Sequence, residues 1–522
     1  MRAGDGLWVA LATALALGAC QSGGEDAERQ AITGVNNGGG ATGGAGGSGA
    51  GAHIGGPGGV SGGGAAGANS GGGGASAGGA AGASSGGGGA SQAGSAGASG
   101  GGTAGATSGG GGGAAGGGPL TTPKLSGTKL LCKLINEAHQ LDPTANQTHT
   151  RANVSGTDLG VPVEHEGSLY LFFGDTLGYK GIWPISESSP DAVGYALDPA
   201  SAVAADPSLL CHDLRFLRVP GEGLGHTLDP AITADFAAGA MTAPSGHDLG
   251  EYIHNPAGHG EFKALPGSFE VPSGAFSHGG SIYLFYTTVV GPSDLTMKAS
   301  YLARWSAPST SGTPGYDILY GVDQRFDAAG SLRGDFINVA AEVQGAYVYL
   351  FGTGAYRACA VHLARKELSK LATPGGFERF DAATHSWVGA SSPAAPIFTE
   401  PGFGETSARY FPAIGRWVFL AEDLSSGNRI VARFAPAPEG PWSAAITVHD
   451  MGDPGFLAKY CCVGDTCAPG RIIHCDKGGF YGTYLLPSVA VGPAPGTFTL
   501  TYTMSTWNPY DVALLQATFS AP

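Results

Sequence analysis

Five stretches of the chain share one pattern. A glycine is followed by seven or eight residues whose apolar, β-branched and aromatic side chains fall on both faces. The first is Gly167-Ser168-Leu169-Tyr170-Leu171-Phe172-Phe173-Gly174-Asp175. The others are Gly280–Thr288, Gly345–Thr353, Gly415–Asp423 and a weaker Gly496–Thr503. Such runs, bounded by Gly, Pro, Asn or Asp, predict strands buried on both sides. A second apolar segment precedes the glycine, as in Val161-Pro162-Val163 before Gly167 and Ala275-Phe276 before Gly280. Each pair predicts a hairpin closed by a tight glycine turn. The copies start 65 to 113 residues apart (Gly167, Gly280, Gly345, Gly415, Gly496). Repeats at that period without heptads predict an all-β chain, a five-bladed β-propeller with a large insertion between the first two copies. A β-sandwich is the rival arrangement.

The N-terminal part has a different pattern. Leu7–Leu17 is an apolar run too short to span a bilayer, and it leads into Leu17-Gly18-Ala19-Cys20. Residues 1–19 read as a signal peptide. Leu17-Gly18-Ala19-Cys20 resembles the lipobox of bacterial lipoproteins, which implies acylation of Cys20. Gln21 in place of Asp favours an exported, outer-membrane or cell-surface location. Nearly half of the 94 glycines fall in Asn37–Gly118, which holds no Asp, Glu, Lys or Arg. Such a tract cannot bury enough apolar area to offset its ordering entropy. Residues 20–118 are therefore expected to be a disordered tether. Its Gly-rich tract should reach about 50 Å as a coil. Residues 119–522 are left as the propeller domain.

Charge and cysteine content narrow the field of partners. The net charge of −15 argues against nucleic acid. No apolar run is long enough for a membrane span, so membrane contact is expected only through lipid on Cys20. A monomer is expected. With Cys20 set aside, Cys132, Cys211, Cys359, Cys461, Cys462, Cys467 and Cys475 remain. An exported chain can oxidise them. Seven is odd, so at least one thiol stays free or pairs elsewhere. A zinc site in the cluster Cys461–Cys475 is the lesser reading, because no C-x-x-C knuckle occurs. There is no H-E-x-x-H, no P-loop and no dinucleotide fingerprint outside the glycine tract. No cofactor or metal is expected.

The acidic residues supply candidate chemistry. In an antiparallel pair, the start of one strand lies beside the end of the next. Asp158 and Asp175 occupy those two ends in the first copy, so they are expected to be neighbours at the mouth of an axial channel. Aligning the copies on their glycines adds Glu270, Asp335 and Glu405 beside Asp158, and Asp423 in the column of Asp175. Crowded carboxylates shift one another's pKa values, which supplies an acid and a base for glycosidic cleavage. The bland alternative is that each acid bonds turn amides.

At these residues the chain resembles a known family. Thr157-Asp158-Leu159-Gly160-Val161-Pro162 and Leu169–Thr176 are similar to the opening signature of domain-of-unknown-function family 4185. Asn338, Tyr349–Gly354 with Tyr356-Arg357, Leu363-Ala364-Arg365, Gly404–Tyr410, Gly440–Ser443, Tyr481–Tyr484 and Met504–Tyr510 extend it. The resemblance spans roughly 131–519. It implies a propeller similar to glycoside hydrolases that include endo-D-arabinanases. It implies that Asp158 and Asp175 carry the acid/base chemistry. Glu405, Arg409, Glu270, Asn338, Arg357, Trp507 and Tyr510 would then contact a polysaccharide substrate. Tyr410, Tyr510 and Trp507 offer stacking faces, although such rings are also ordinary blade core. The expected function is a surface-anchored hydrolase of glycosidic, D-arabinofuranosidic, bonds. A non-catalytic carbohydrate-binding module using the same mouth is the alternative.

Overall fold

In the computed structural model, the described residues are 122–135, 146–148, 152, 154, 156–176, 191–217, 252–253, 269–290, 296–310, 316–324, 332, 334–354, 357–463, 467 and 470–521. Cys20, the signal-like start and the glycine tract lie outside them. The described residues are all-β with a few short helices. No helix among them is long and apolar enough to cross a membrane.

The strands succeed one another in antiparallel meanders. β1 (Lys124–Lys133) comes first. β2 (Leu159–His165), β3 (Ser168–Asp175), β4 (Asp191–Ala196) and β5 (Leu214–Phe216) form a sheet, with β6 (Tyr252–Ile253) beside β4. β7 (Phe269–His278), β8 (Ser281–Val290), β9 (Thr296–Trp305) and β10 (Tyr316–Gln324) form the next. β11 (Asn338–Gln344), β12 (Tyr347–Thr353) and β13 (Cys359–Glu367) come after it, extended by β14 (Glu378–Asp381) and β15 (Ser386–Gly389). β16 (Phe398–Phe411), β17 (Arg416–Asp423), β18 (Arg429–Ala435) and β19 (Ile446–Asp450) join that group through Cys359↔Phe403 and Val361↔Phe398. The last sheet is β20 (Gly479–Val491), β21 (Phe498–Trp507) and β22 (Asp511–Ser520), completed by β1 at its edge. Among the described strands, the last thus pairs with the first.

All five aromatic runs are strands, each second in its group: β3, β8, β12, β17 and β21. Each pairs with the strand ahead of it, as the hairpin reading expected. Those leading strands pack in a cycle, β2 on β7, β7 on β11, β11 on β16, β16 on β20, and β20 back on β2. Small residues let the backbones approach. A Cβ on Gly274 of β7 would stand 2.3 Å from the Val339 carbonyl of β11. The bulky runs, one strand further out, fill separate apolar layers between neighbouring groups. Phe172, Leu284 and Trp305 share one such layer; Phe351, Phe419 and Trp417 share another.

The stretch between the first two copies, read from the sequence as an insertion, includes residues 191–217. These residues supply β4 and β5, linked by α1 (Ala200–Ala205) and α2 (Leu210–Asp213). The disulfide Cys132–Cys211 ties this segment to β1. The cysteine-rich segment after α3 (Pro454–Tyr460) holds Cys461–Cys475 and Cys462–Cys467. Cys462, Cys467 and His474 bring ligand atoms within 4.8 Å of one another. Both sulfurs there are bonded to each other, which removes the thiolates that zinc needs. No described cysteine is a free thiol.

Candidate active site

Asp158 immediately precedes β2 and is 8% exposed. Its backbone carbonyl accepts a bond from the Gly174 N–H at 3.1 Å, which fixes it beside the end of β3. Gly174 has no substitute there, since a Cβ would lie 2.4 Å from Asp158 Oδ1. The hydroxyls of Thr157 and Thr176 share a 3.0 Å bond and pin the two chain segments together. Leu159 takes φ of +63° and Gly160 +78°, so the chain turns sharply after the carboxylate. A left-handed leucine is costly and is held by its N–H donating to Ser505 Oγ at 2.7 Å.

Bulges at the strand starts aim the side chains. Register slips occur at Leu159/Val161 in β2, Phe403/Thr406 in β16 and Tyr481/Thr483 in β20. An extra residue reorients the side chains on either side of it, a common device beside active sites. Here the bulges gather Asp158, Glu405 and Tyr481. Tyr481 donates its hydroxyl to Asp158 Oδ2 at 2.8 Å. Arg357 lies over the Tyr481 ring, 4.2 Å from its centroid. It grips Glu405 with two bonds, 3.0 Å from Nε and 3.1 Å from Nη2, and reaches Glu422 Oε2 at 3.5 Å. Gly404 makes room for this arginine, because a Cβ would come within 2.4 Å of Arg357 Cγ. Arg357 itself sits at φ +51°.

One guanidinium thus holds two buried carboxylates, and its charge also acts on a third, Asp158. Burial pushes Asp158 up to about 6. The Tyr510 and Tyr481 hydroxyls pull it back, Glu405 adds to the rise and Arg357 opposes it. Burial pushes Glu422 up to about 8, against Arg357 and with help from Glu405 and Asp423. Burial also drives the Tyr484 and Tyr510 hydroxyls well above their ordinary range, with Asp158 reinforcing both. They remain proton donors at any physiological pH. The cluster therefore holds Glu422, which burial keeps protonated near neutrality, and Asp158, which changes state just below it.

The other expected residues occupy varied positions. Asp175 ends β3 opposite Asp191, and both Asp158 and Asp175 act on the Tyr510 hydroxyl. Asn338 opens β11, fully buried, with Oδ1 lacking a partner. Glu270 faces Thr288 in the β7–β8 register. Arg409 donates to the carbonyls of Pro162 and Leu485 at 2.6 and 2.9 Å and meets Glu342 at 3.5 Å. It lines a small cavity between the leading strands with Ser273, Ala340, Ala408 and Tyr484. Two acids have nearby partners of their own. Asp335 pairs with Arg379 and His362, and Asp423 bonds the Ser425 amide at 2.9 Å. Glycine alignment missed Glu422, the residue before Asp423. The bulge at residues 404–405 sets Glu422 on Arg357 beside Glu405, and no turn glycine reports it. Trp507 is 41% exposed.

The profile of the family described as Domain of unknown function (DUF4185) matches residues 228–516, over half of the chain. The chain belongs to this family. Asp158 and Asp175 precede the matched stretch. A search of curated protein sequences found no match. Among solved structures, a hydrolase candidate from Bacteroides ovatus is similar at 12% identity and a TM-score of 0.41, over 71% of this chain and 87% of that one. An α-L-arabinofuranosidase catalytic domain from Coprinopsis cinerea gives 11%, 0.37, 70% and 91%. An arabinanase from Bacillus subtilis gives 12%, 0.34, 69% and 95%. Likeness at these scores carries no weight for activity.

Proposed function

We propose that this chain is a glycoside hydrolase that cleaves a polysaccharide, with arabinofuranosidic bonds the first to test. The observation that supports it is Asp158: a buried carboxyl near pH 6, bonded by Tyr481 and facing an arginine shared by two glutamates. In this reading the cycle of leading strands is the axis of a five-bladed propeller, and its mouth is the site. Asp158 and Asp175 act as the acid/base pair on either side of Tyr510. Glu405 and Arg357 orient the sugar hydroxyls. Cys20 carries the lipid and the glycine tract the reach, so the domain works at the cell surface. The deciding experiment is incubation of the protein with a panel of cell-wall arabinans, read by oligosaccharide release. Release by the wild type and none by Asp158→Asn supports the reading. Binding without release, in both proteins, replaces it with a non-catalytic binding module.

A further inference from the structure

Trp507 stands apart from the other described tryptophans. Trp305, Trp387, Trp417 and Trp442 each pack against aromatic rings in the core layers. Among the described residues no ring or cation packs on Trp507, and it keeps 41% of its surface exposed. An indole that keeps this much surface in water has area left to pack against a ligand. It is also firmly backed. Trp507 faces Gly479 across the β20–β21 ladder. A Cβ on Gly479 would stand 2.5 Å from the indole Nε1 and 3.3 Å from Cε2. A Cβ on Gly478 would stand 2.5 Å from the Trp507 carbonyl. Two glycines therefore let backbone lie directly against the tryptophan.

The turn after it is fixed from outside. Asn508 takes φ of +66°. Its carbonyl accepts from the His474 N–H at 3.0 Å, and its Nδ2 donates to the Lys477 carbonyl at 3.1 Å. His474 and Lys477 flank Cys475, whose disulfide with Cys461 staples the segment to the end of α3. The same turn ends at Tyr510, which acts on Asp158, and Gly479 lies two residues from Tyr481, which bonds Asp158. The exposed indole and the central carboxylate are thus held by one short turn and one strand start.

We propose that Trp507 is a stacking platform for a sugar ring of the polysaccharide next to the bond being cleaved, braced by Gly478–Gly479 and by the stapled segment. A sugar ring presents a face of C–H groups that complements the electron-rich face of an indole. The platform needs no charge and no movement, and it rewards longer substrates over single-residue glycosides. This inference rests on the hydrolase reading.

The test uses the full-length protein with Trp507→Ala, Trp507→Phe and Gly479→Ala. Each is assayed on soluble arabinan and on a short chromogenic arabinofuranoside, with thermal melting as the folding control. Trp507→Ala should raise KM for arabinan about five- to tenfold, the order of an aromatic contact, with kcat within about twofold and the short glycoside unaffected. Trp507→Phe should recover most of the loss. Gly479→Ala, whose Cβ would press on the indole Nε1 and on Asn428 Nδ2, should raise KM in the same way. An unchanged KM in Trp507→Ala, while Asp158→Asn is inactive, overturns the platform and leaves the hydrolase reading standing. If the wild type releases nothing, the hydrolase reading falls and the platform is judged by retardation in gels containing arabinan, xylan or β-glucan. Retardation lost in Trp507→Ala supports it; equal retardation, or none in the wild type, overturns it.

Discussion

A carboxyl near pH 6 is useful only if its neighbours can tolerate both of its states. At Asp158 the two tyrosine hydroxyls favour the anion, while burial and Glu405 favour the acid. Asp158→Asn keeps the shape and the Tyr481 bond but cannot titrate. Turnover should drop by about 10²-fold or more, with cooperative melting retained and the melting temperature at neutral pH not lowered. A pH profile of the wild type should show a limb near pH 6 tied to this group. Stability carries a separate signature. Asp158, Glu342, Glu422 and Asp511 have raised pKa values, from about 6 to about 8. Each binds its proton more tightly folded than unfolded. Its stabilisation is complete below the unfolded pKa and is lost as pH rises through the folded one. His449, lowered to about 3 by burial, works the other way and loses stability as pH falls. A difference measurement separates them. Glu422→Gln should gain melting temperature relative to wild type as pH rises from about 5 to about 8. A flat difference would mean Glu422 is ionised in the folded protein.

At the scale of strands, the sequence made the aromatic runs legible and the bulges illegible. Phe172, Leu284, Leu350, Phe419 and Tyr502 announce buried second strands because layer packing demands bulk on both faces. Asp158 was legible too, since hairpin geometry alone puts it beside Asp175. Glu422 and Tyr481 were not. Alignment on turn glycines assumes an unbroken period of two, and one extra residue at 404–405, or at Gly482 with φ +53°, shifts the count. Asp335 and Asp423 have partners close at hand, Arg379 with His362 for the first and the Ser425 amide for the second. Two glycines test this layer of organisation. Gly404→Ala would displace Arg357 and should cut turnover by about 10²-fold, the usual loss when a catalytic constellation is misplaced by an ångström. Gly274→Ala would press on the Val339 carbonyl. It should destabilise by about 1–3 kcal/mol, as overpacking does, read by denaturant melting, because here backbone and not side chain must move.

For the molecule as a whole, the structural weight falls on the join between its two ends. β1 pairs with β22 from Lys124↔Ser520 to Lys133↔Ala513. Cys132–Cys211 closes a span of 79 residues, worth about 4 kcal/mol in the loop-entropy picture. A chain beginning at Leu120 keeps this join. It should melt like the full-length protein, stay soluble without detergent and turn over soluble substrate at the full-length rate. A chain beginning at Leu134 loses both strand and disulfide and should not melt cooperatively. Aggregation of the Leu120 form would show that residues ahead of it belong to the fold.

That join also sets a timetable. Synthesis runs from the N-terminus, so Lys124–Lys133 emerges hundreds of residues before the strand that covers it. Until Asp511–Ser520 arrives, β1 is an open edge and the cycle of leading strands lacks its closing sheet. A message cut short anywhere upstream yields a protein that cannot conceal that edge. Arrival of Asp511–Ser520 is thereby written into foldedness, and proteases that cut loose edges can tell chains that have this strand from chains that lack it without reading any other mark.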